Sequence, residues 1–376
     1  MPIPLFDPTP DIKAHWQEYN EAIQRVMKHG QFILGPEVEE FETRAAEYLG
    51  VKHAIGVNSG TDALVIGLRA AGIEPGDEVI TTPFSFFATA ESISNVGAQP
   101  VFVDIEPATF NLDPSNIEPA ITDKTKAILP VHLFGLPAEM DAITDIAERY
   151  DLAVIEDCAQ SFGATYGGQQ TGSMGHVGAF SFFPTKNLGG FGDGGLITTD
   201  DDEVAEQCRM LRTHGSRKKY HNEMLGYNSR LDTIQGAVLL IKLKYLDEAN
   251  RQRQEIARRY SEALSDIKSL QIPSIPNPQS PIHNPQSPVT HIYHQYTIRV
   301  LEQDRDEIRK KLSEKGISTG VYYPVPQDKL PVYADLNFRL QVSERMADQV
   351  LSLPIWPGMA GEEQDAVING VKDILI

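Results

Sequence analysis

The sequence predicts an α/β fold: a large domain on a mostly parallel sheet, followed by a small α+β C-terminal domain. Three observations carry the prediction. Apolar strand-like runs alternate with amphipathic helical ones from about residue 53 to 200, the pattern of parallel strands joined by helical crossovers. A proline-free stretch over 232–265 begins apolar and finishes highly charged, as a helix linking two domains does. Beyond it a strand–helix–strand pattern resumes. The large domain is assigned to residues 1–245, N-terminal helices included, and the small one to 246–376; 376 residues suffice for two cores.

Taken in order, IKAHWQEYNEAIQRVMKHG and PEVEEFETRAAEYLG read as two amphipathic helices ahead of the sheet, able to cover it or to meet a partner subunit. Strands are expected at HAIGV from 53, EVITT from 78, VFVDI from 101, AILPV from 127, LAVIED from 152, AFSFF from 179 and GLITT from 195. TDALVIGLRAAG and MDAITDIAERY read as helices between them, with Gly72 and the Pro75-Gly76 turn as stop signals. Further on, YHQYTIRV alternates like a strand, RDEIRKKLSEKG reads as a helix ended by Gly316, and ISTGVYY resumes a strand. Between these and the linking helix, IPSIPNPQSPIHNPQSPVT repeats NPQSP. Proline at that density sustains neither helix nor central strand, so an exposed loop is expected over 272–289.

Composition excludes several classes of function. No apolar run approaches the roughly 20 residues that cross a bilayer, and MPIPLFDPTP lacks the basic and apolar regions of a signal peptide. A cytoplasmic protein without membrane contact is expected. Cys158 and Cys208 are too few for a disulfide framework or a metal cluster and read as small buried apolar residues. The formal charge of −19 opposes nucleic-acid binding. RTHGSRKKYH, at 212–221, either serves one anionic small molecule or is a solvated loop.

Three separated features point to one chemistry. In IEDCAQSFGA, Asp157 ends a buried strand, where α/β sheets present ligand-binding groups, and Gln160 follows three residues on. A carboxylate there either holds a heterocyclic nitrogen protonated or caps the next helix. In FSFFPTKNLGGFGDGG, Lys186 lies among apolar and uncharged groups that lower an amine's pKa, as a Schiff-base-forming lysine requires. The glycines after it are expected to take φ values closed to other residues, and the hydroxyl of Ser181 to meet a phosphate. In NSGTDALVIGLRAAG, Gly60, Thr61 and Asp62 stand where a strand enters a helix, so backbone N–H groups there either cradle a phosphate or are simply capped. Phe86, in TTPFSFFATA, is placed to stack on a flat ring. Together these features point to pyridoxal 5′-phosphate, with Lys186 as covalent anchor and Asp157 as partner of the ring nitrogen.

With GQFILGPEVEEFE, GVNSGTDAL, PVHLFG, IEDCAQSFGA, FSFFPTKNLGGFGDGG and GYNSRLDTIQGAVLLIKL in this order, the chain resembles the DegT/StrS-type nucleotide-sugar aminotransferases over nearly its whole length. The resemblance implies a fold type I aminotransferase, a homodimer with active sites at the subunit interface. It implies Lys186 and Asp157 as catalytic residues, and Gln160 against the cofactor's phenolic oxygen. Gly60, Thr61, Asp62 and Ser181 fall at phosphate positions, and Asn228, in GYNSRLD, matches a residue reaching the phosphate from the second subunit. Arg230, and Tyr323 in VYYPVP, would lie near the sugar. The implied reaction is ping-pong transfer from glutamate to a nucleotide-linked ketosugar. The TDAL, DCAQ and PTKNL variants resemble members aminating C3 of a UDP-linked 3-keto-N-acetylglucosaminuronate or a dTDP-linked 3-keto-6-deoxyhexose. Alternatives are a 4-ketosugar aminotransferase of the perosamine-synthase kind and a non-catalytic regulator of the same fold; related dehydratases carry histidine where Lys186 stands.

Overall fold

The protein was analysed as a computed structural model describing residues 2–273 and 288–375. Three helices come first: α1 (Thr9–Ala14), α2 (Trp16–His29) and α3 (Pro36–Leu49). The first expected helix is therefore two, broken at His15 (φ −114°, ψ 20°), whose ring stacks 3.9 Å from that of Tyr245. α2 buries Tyr19, Ala22 and Val26, one stripe of a 3.6-residue period, and stops at Gly30, which takes the left-handed conformation that suits glycine.

The alternation from residue 53 produces β1 (His53–Val57), α4 (Gly60–Ala70), β2 (Glu78–Thr81), α5 (Ala88–Asn95), β3 (Gln99–Phe102), β4 (Thr125–Leu129), α6 (Met140–Tyr150) and β5 (Ala153–Asp157). A small hairpin, β6 (Thr165–Tyr166) and β7 (Gln169–Gln170), precedes β8 (Val177–Ser181) and β9 (Gly195–Thr199). Seven of these strands form one sheet in the order β1-β9-β8-β5-β4-β2-β3. β9 alone runs antiparallel, between β1 and β8; the other pairings are parallel. The C-terminal ends of β1, β2, β4, β5 and β8 therefore share one edge with the start of β9. Ile55, Ile66, Leu129, Ile155 and Ile197 fill the core on one face.

α7 (Asp202–Leu211) and the β10 (Ser216–Lys218) and β11 (His221–Asn222) hairpin follow. The stretch expected as one helix over 232–265 is two, α8 (Thr233–Lys244) and α9 (Leu246–Leu264). No proline or glycine divides them. Tyr245 leaves helical geometry (φ −108°, ψ 5°) so that its ring meets His15 and its hydroxyl donates to Glu18 at 2.6 Å, a tertiary contact overriding local propensity.

In the last third stand β12 (Leu270–Gln271), β13 (Val289–Thr290), β14 (Tyr296–Val300), α10 (Arg305–Glu314), α11 (Gln341–Gln349), β15 (Val350–Leu353) and α12 (Gly361–Leu375). β12, β14 and β15 make a small antiparallel sheet over a core containing Tyr260, Tyr296, Leu351 and Trp356. Most of the expected 272–289 loop, both NPQSP repeats included except Pro288, lies outside the described residues. ISTGVYY does not form the expected strand; it makes only single bridges, Ile3 to Ile317 and Gly320 to Ser352. A Cβ on Gly320 would stand 2.7 Å from the Tyr322 ring, so the chain bends back on itself here. β15 takes the strand position instead.

Candidate active site

Backbone comes together first. Ser59 caps α4, its Oγ accepting from the N–H of Asp62 at 3.1 Å. A Cβ on Gly60 would lie 2.6 Å from Cβ of Ser181, and one on Gly195 2.3 Å from the Ser59 carbonyl oxygen. Only bare backbone lets the β1–α4 turn, the end of β8 and the start of β9 converge. The glycines of GGFGDGG thus serve differently from expectation: none takes a positive φ, and what they provide is close approach. Gly189 likewise leaves no room for a Cβ, which would fall 2.7 Å from the Pro184 carbonyl oxygen behind Lys186.

A cleft of about 500 Å³ opens at this edge of the sheet, lined by Gly60, Thr61, Phe86, Asp157, Gln160, Ser181, Lys186 and Tyr323. The structure thus brings together eight of the eleven residues singled out from sequence. Asp62, Asn228 and Arg230 do not line it. The backbone N–H of Asp62 is taken by Ser59, which removes it as a free donor. Asn228 is exposed, and its backbone pairs with Thr213 instead.

Asp157 ends β5 almost fully buried. Its Oδ2 accepts from the Thr89 hydroxyl at 2.8 Å and its Oδ1 from the Ala159 N–H at 3.1 Å. The Ser85 hydroxyl lies 2.8 Å from Thr89 Oγ1; because Thr89 gives its proton to the carboxylate, Ser85 is the donor to Thr89. Burial pushes the Asp157 carboxyl up, while the Thr89 and Ala159 donors and the charge of Lys186 pull it down. Lys186 shows the converse: burial pushes its amine down to about 8, against the attraction of Asp157. A base with that pKa keeps a working fraction of neutral amine near physiological pH, far more than an ordinary lysine.

Gln160 is fixed at both ends. Its Oε1 accepts from the Phe134 N–H at 2.6 Å and its Nε2 donates to the Tyr323 hydroxyl at 3.2 Å, leaving one amide hydrogen for a ligand. Burial keeps the Tyr323 phenol protonated. Phe86 is 61% exposed, a large apolar face turned to solvent rather than to the core. The Ser181 Oγ accepts from the Phe183 N–H at 3.3 Å, so its proton is free to donate.

Sequence reasoning missed Thr89, His294 and Gln295. Thr89 stands one helical turn after Phe86, a spacing visible in FFAT, but its approach to Asp157 depends on the packing of α5. His294 and Gln295 were assigned to a strand that begins only at Tyr296. His294 lines the cleft, and its Nδ1 faces Asn187 Oδ1 at 3.1 Å. Cys158 lies in a buried group with His132 and Glu156 whose ligand atoms are within 4.8 Å of one another. These atoms are already engaged: His132 Nδ1 accepts from the Ala138 N–H, its Nε2 faces Glu156 Oε2 at 2.9 Å, and Glu156 accepts from the N–H groups of Gly172, Met174 and Gly175. Burial pushes the Cys158 thiol far up, so it is inert.

The cleft has what pyridoxal phosphate needs. Helix-start N–H groups of Gly60 and Thr61, with the free Ser181 proton, suit a phosphate; an uncovered phenyl face suits a flat ring; a buried carboxylate suits a cationic ring nitrogen; a neutralisable amine suits an aldehyde.

The family model for the DegT/DnrJ/EryC1/StrS aminotransferase family matches residues 14–372. The chain is 46% identical over 336 residues to the UDP-2-acetamido-2-deoxy-3-oxo-D-glucuronate aminotransferase of Pseudomonas aeruginosa, covering 89% of this chain and 90% of that protein. It is also 46% identical to a pleiotropic regulatory protein of Geobacillus stearothermophilus, covering 99% and 98%. Among solved structures, S. venezuelae DesV in complex with a ketimine intermediate superposes with a TM-score of 0.94 at 42% identity, covering 100% and 98%. A match of this extent leaves no part of the sheet, cleft or C-terminal sheet unaccounted for, and the chain belongs to the DegT/DnrJ/EryC1/StrS aminotransferase family, whose cofactor is pyridoxal phosphate.

Proposed function

We propose that this protein transfers an amino group from glutamate to C3 of a nucleotide-linked ketosugar, in two half-reactions served by the same lysine. The observation that carries the reading is the pair in one cleft: an amine whose pKa burial lowers to about 8 and a carboxyl furnished with two donors. Pyridoxal phosphate supplies an aldehyde that bonds reversibly to amines and a protonated ring that draws electrons from the bond being broken. Lys186 Nζ would anchor it and, once displaced by the incoming amine, would take the proton from the substrate's α carbon and deliver it to the cofactor's C4′, on the far side of the shared nitrogen. Asp157 holds the ring nitrogen cationic, with Thr89 holding Asp157. The remaining Gln160 amide hydrogen turns to the phenolic oxygen, and Gly60, Thr61 and Ser181 take the phosphate.

Aminating C3 rather than C4 is supported by the Pseudomonas relative, named for a 3-oxo sugar. A UDP-linked 3-keto-N-acetylglucosaminuronate is the first substrate to try, a dTDP-linked 3-keto-6-deoxyhexose the second. Asn228 and Arg230, away from the chain's own cleft, are assigned to that of a second copy in a homodimer, where Arg230 pairs with substrate charge. Tyr323 faces the sugar from the same chain. The Geobacillus relative, described as a regulatory protein, favours a second reading, a regulator of this fold.

Purified protein given 3-keto and 4-keto nucleotide sugars with glutamate tests the assignment, the new amine being located by NMR. Amination at C4 alone overturns the regiochemistry. A visible absorption band converted by borohydride into a covalent adduct at Lys186 is expected. Protein that neither binds cofactor nor aminates any sugar supports the regulator.

A further inference from the structure

Gln327 stands in a short 3₁₀ turn, Gln327–Lys329, four residues after the Tyr323 that reaches Gln160. It is 1% exposed, yet it belongs to the C-terminal third and touches the loop after β2. Its backbone N–H donates to the Pro83 carbonyl at 2.9 Å. Both hydrogens of its side-chain amide are used on consecutive carbonyls of the same loop, Ser85 at 3.0 Å and Phe86 at 2.9 Å. The amide orientation is thereby fixed, since the reverse would set Oε1 against two carbonyl oxygens. Its Oε1 is buried with no hydrogen-bond partner, a cost borne in holding this orientation.

The loop so gripped carries two things. Phe86 projects from it into the cleft, and Ser85 begins the hydroxyl chain through Thr89 to Asp157. The Phe86 ring is 61% exposed, so packing alone holds it weakly. Its position is set by its backbone, and the side-chain bonds to that backbone come from Gln327.

We propose that Gln327 is a positioning residue for the cofactor: it acts through the Ser85–Phe86 backbone to hold the phenyl face over the ring and keep Thr89 on Asp157. The inference rests on the reading of this cleft as a pyridoxal phosphate site. It makes cofactor affinity depend on a residue that does not line the cleft and lies 241 positions away from Phe86 in sequence.

The test is a double-mutant cycle on cofactor binding, read by equilibrium dialysis and by the induced circular dichroism of the bound chromophore. Gln327→Leu, with Gln327→Met as a second shape, removes both donors. Affinity is expected to fall about tenfold, the worth of one to two net hydrogen bonds, and the dichroic band to weaken as the ring loses its fixed orientation. Phe86→Ala alone should lower affinity, and Gln327→Leu added to it should cost less than it does in the parent, because the two act as one unit. Fully additive losses, or unchanged affinity and dichroism with only a lowered melting temperature, overturn the inference. Parent protein that binds no cofactor at Lys186 overturns the underlying reading instead, so the two failures are distinguishable.

Discussion

Replacing Thr89 with valine keeps the side-chain volume and removes one proton donor, the hydroxyl 2.8 Å from Asp157 Oδ2. In the parent the buried carboxylate accepts two bonds, so the variant leaves it one, from Ala159. A bond to a charged group contributes about 1.5–3 kcal/mol net, so losing it should push the Asp157 pKa up beyond what burial already imposes. For an acid whose folded pKa is raised, the folded state holds its proton more tightly than the unfolded chain. Stability therefore falls as pH climbs from the unfolded pKa to the folded one, and the full cost is present above both. Thr89→Val extends that window upward. At alkaline pH, with Asp157 ionised in both proteins, the cofactor-free variant should melt about 2–4 °C below the parent, taking an unfolding entropy of roughly 0.8 kcal/mol/K for 376 residues. At acid pH, with Asp157 protonated in both proteins, the gap should shrink to that of one neutral hydrogen bond, and Thr89→Ser should restore the parent curve. Differential scanning calorimetry of the three proteins across pH decides it. A gap of equal size at both ends of the range would show that valine disturbs packing, not charge.

Lys186→Met should raise the melting temperature of cofactor-free protein at pH 7 by a few degrees. The Lys186 amine titrates near 8 instead of 10.5, so the parent gains stability between those values and the gap should close above pH 10; a gap independent of pH would contradict a buried amine. Gly195→Ala should cost roughly 1–3 kcal/mol in chemical denaturation, since its Cβ meets the Ser59 carbonyl at 2.3 Å; a neutral effect would mean that the β1–α4 turn is looser than described. Mixing inactive Lys186→Ala with Asn228→Ala and allowing subunits to exchange should recover about a quarter of parent sites, because each mixed dimer carries one site with neither lesion. Activity no higher than the sum of the separate variants would place Asn228 in its own subunit's function.

What the sequence disclosed and what it hid divide by distance along the chain. Seven strands of the central sheet were legible because each is a local apolar run, and Asp157, Ser181 and Lys186 were legible because strand ends and glycine turns mark where α/β sheets bind ligands. The supports of those residues were not. Thr89 reaches Asp157 across 68 positions and Tyr323 reaches Gln160 across 163, separations that no local pattern encodes. The breaks at His15 and Tyr245 have the same origin, since neither residue is a helix breaker and both are drawn into tertiary contacts, the ring stacking and the Tyr245–Glu18 bond, where α1 and α8 end. ISTGVYY misled for the opposite reason. Its alternation is that of a strand, but the bend at Gly320 puts Tyr323 into the cleft and gives the sheet position to β15.

The protonation states of the cleft make sense only together. Burial alone favours an uncharged Asp157 and an uncharged Lys186. Neutral Lys186 is the form that attacks an aldehyde, so burial serves it directly. Neutral Asp157 is unsuited to pairing with a cation unless it first gives up its proton. Asp157 can hand it to a pyridine nitrogen placed beside it, and the pair that results needs no net charge brought in from water. Thr89 and Ala159 then matter because both donate to the charged form, making release favourable at the moment a base arrives. Burial retains the proton and the two donors allow it to leave. An infrared difference spectrum on adding pyridoxal phosphate should therefore lose a protonated-carboxyl band in the parent and none in Asp157→Asn. A parent spectrum with no carboxyl change would mean that Asp157 is already ionised in the empty cleft, and that its donors outweigh its burial from the start.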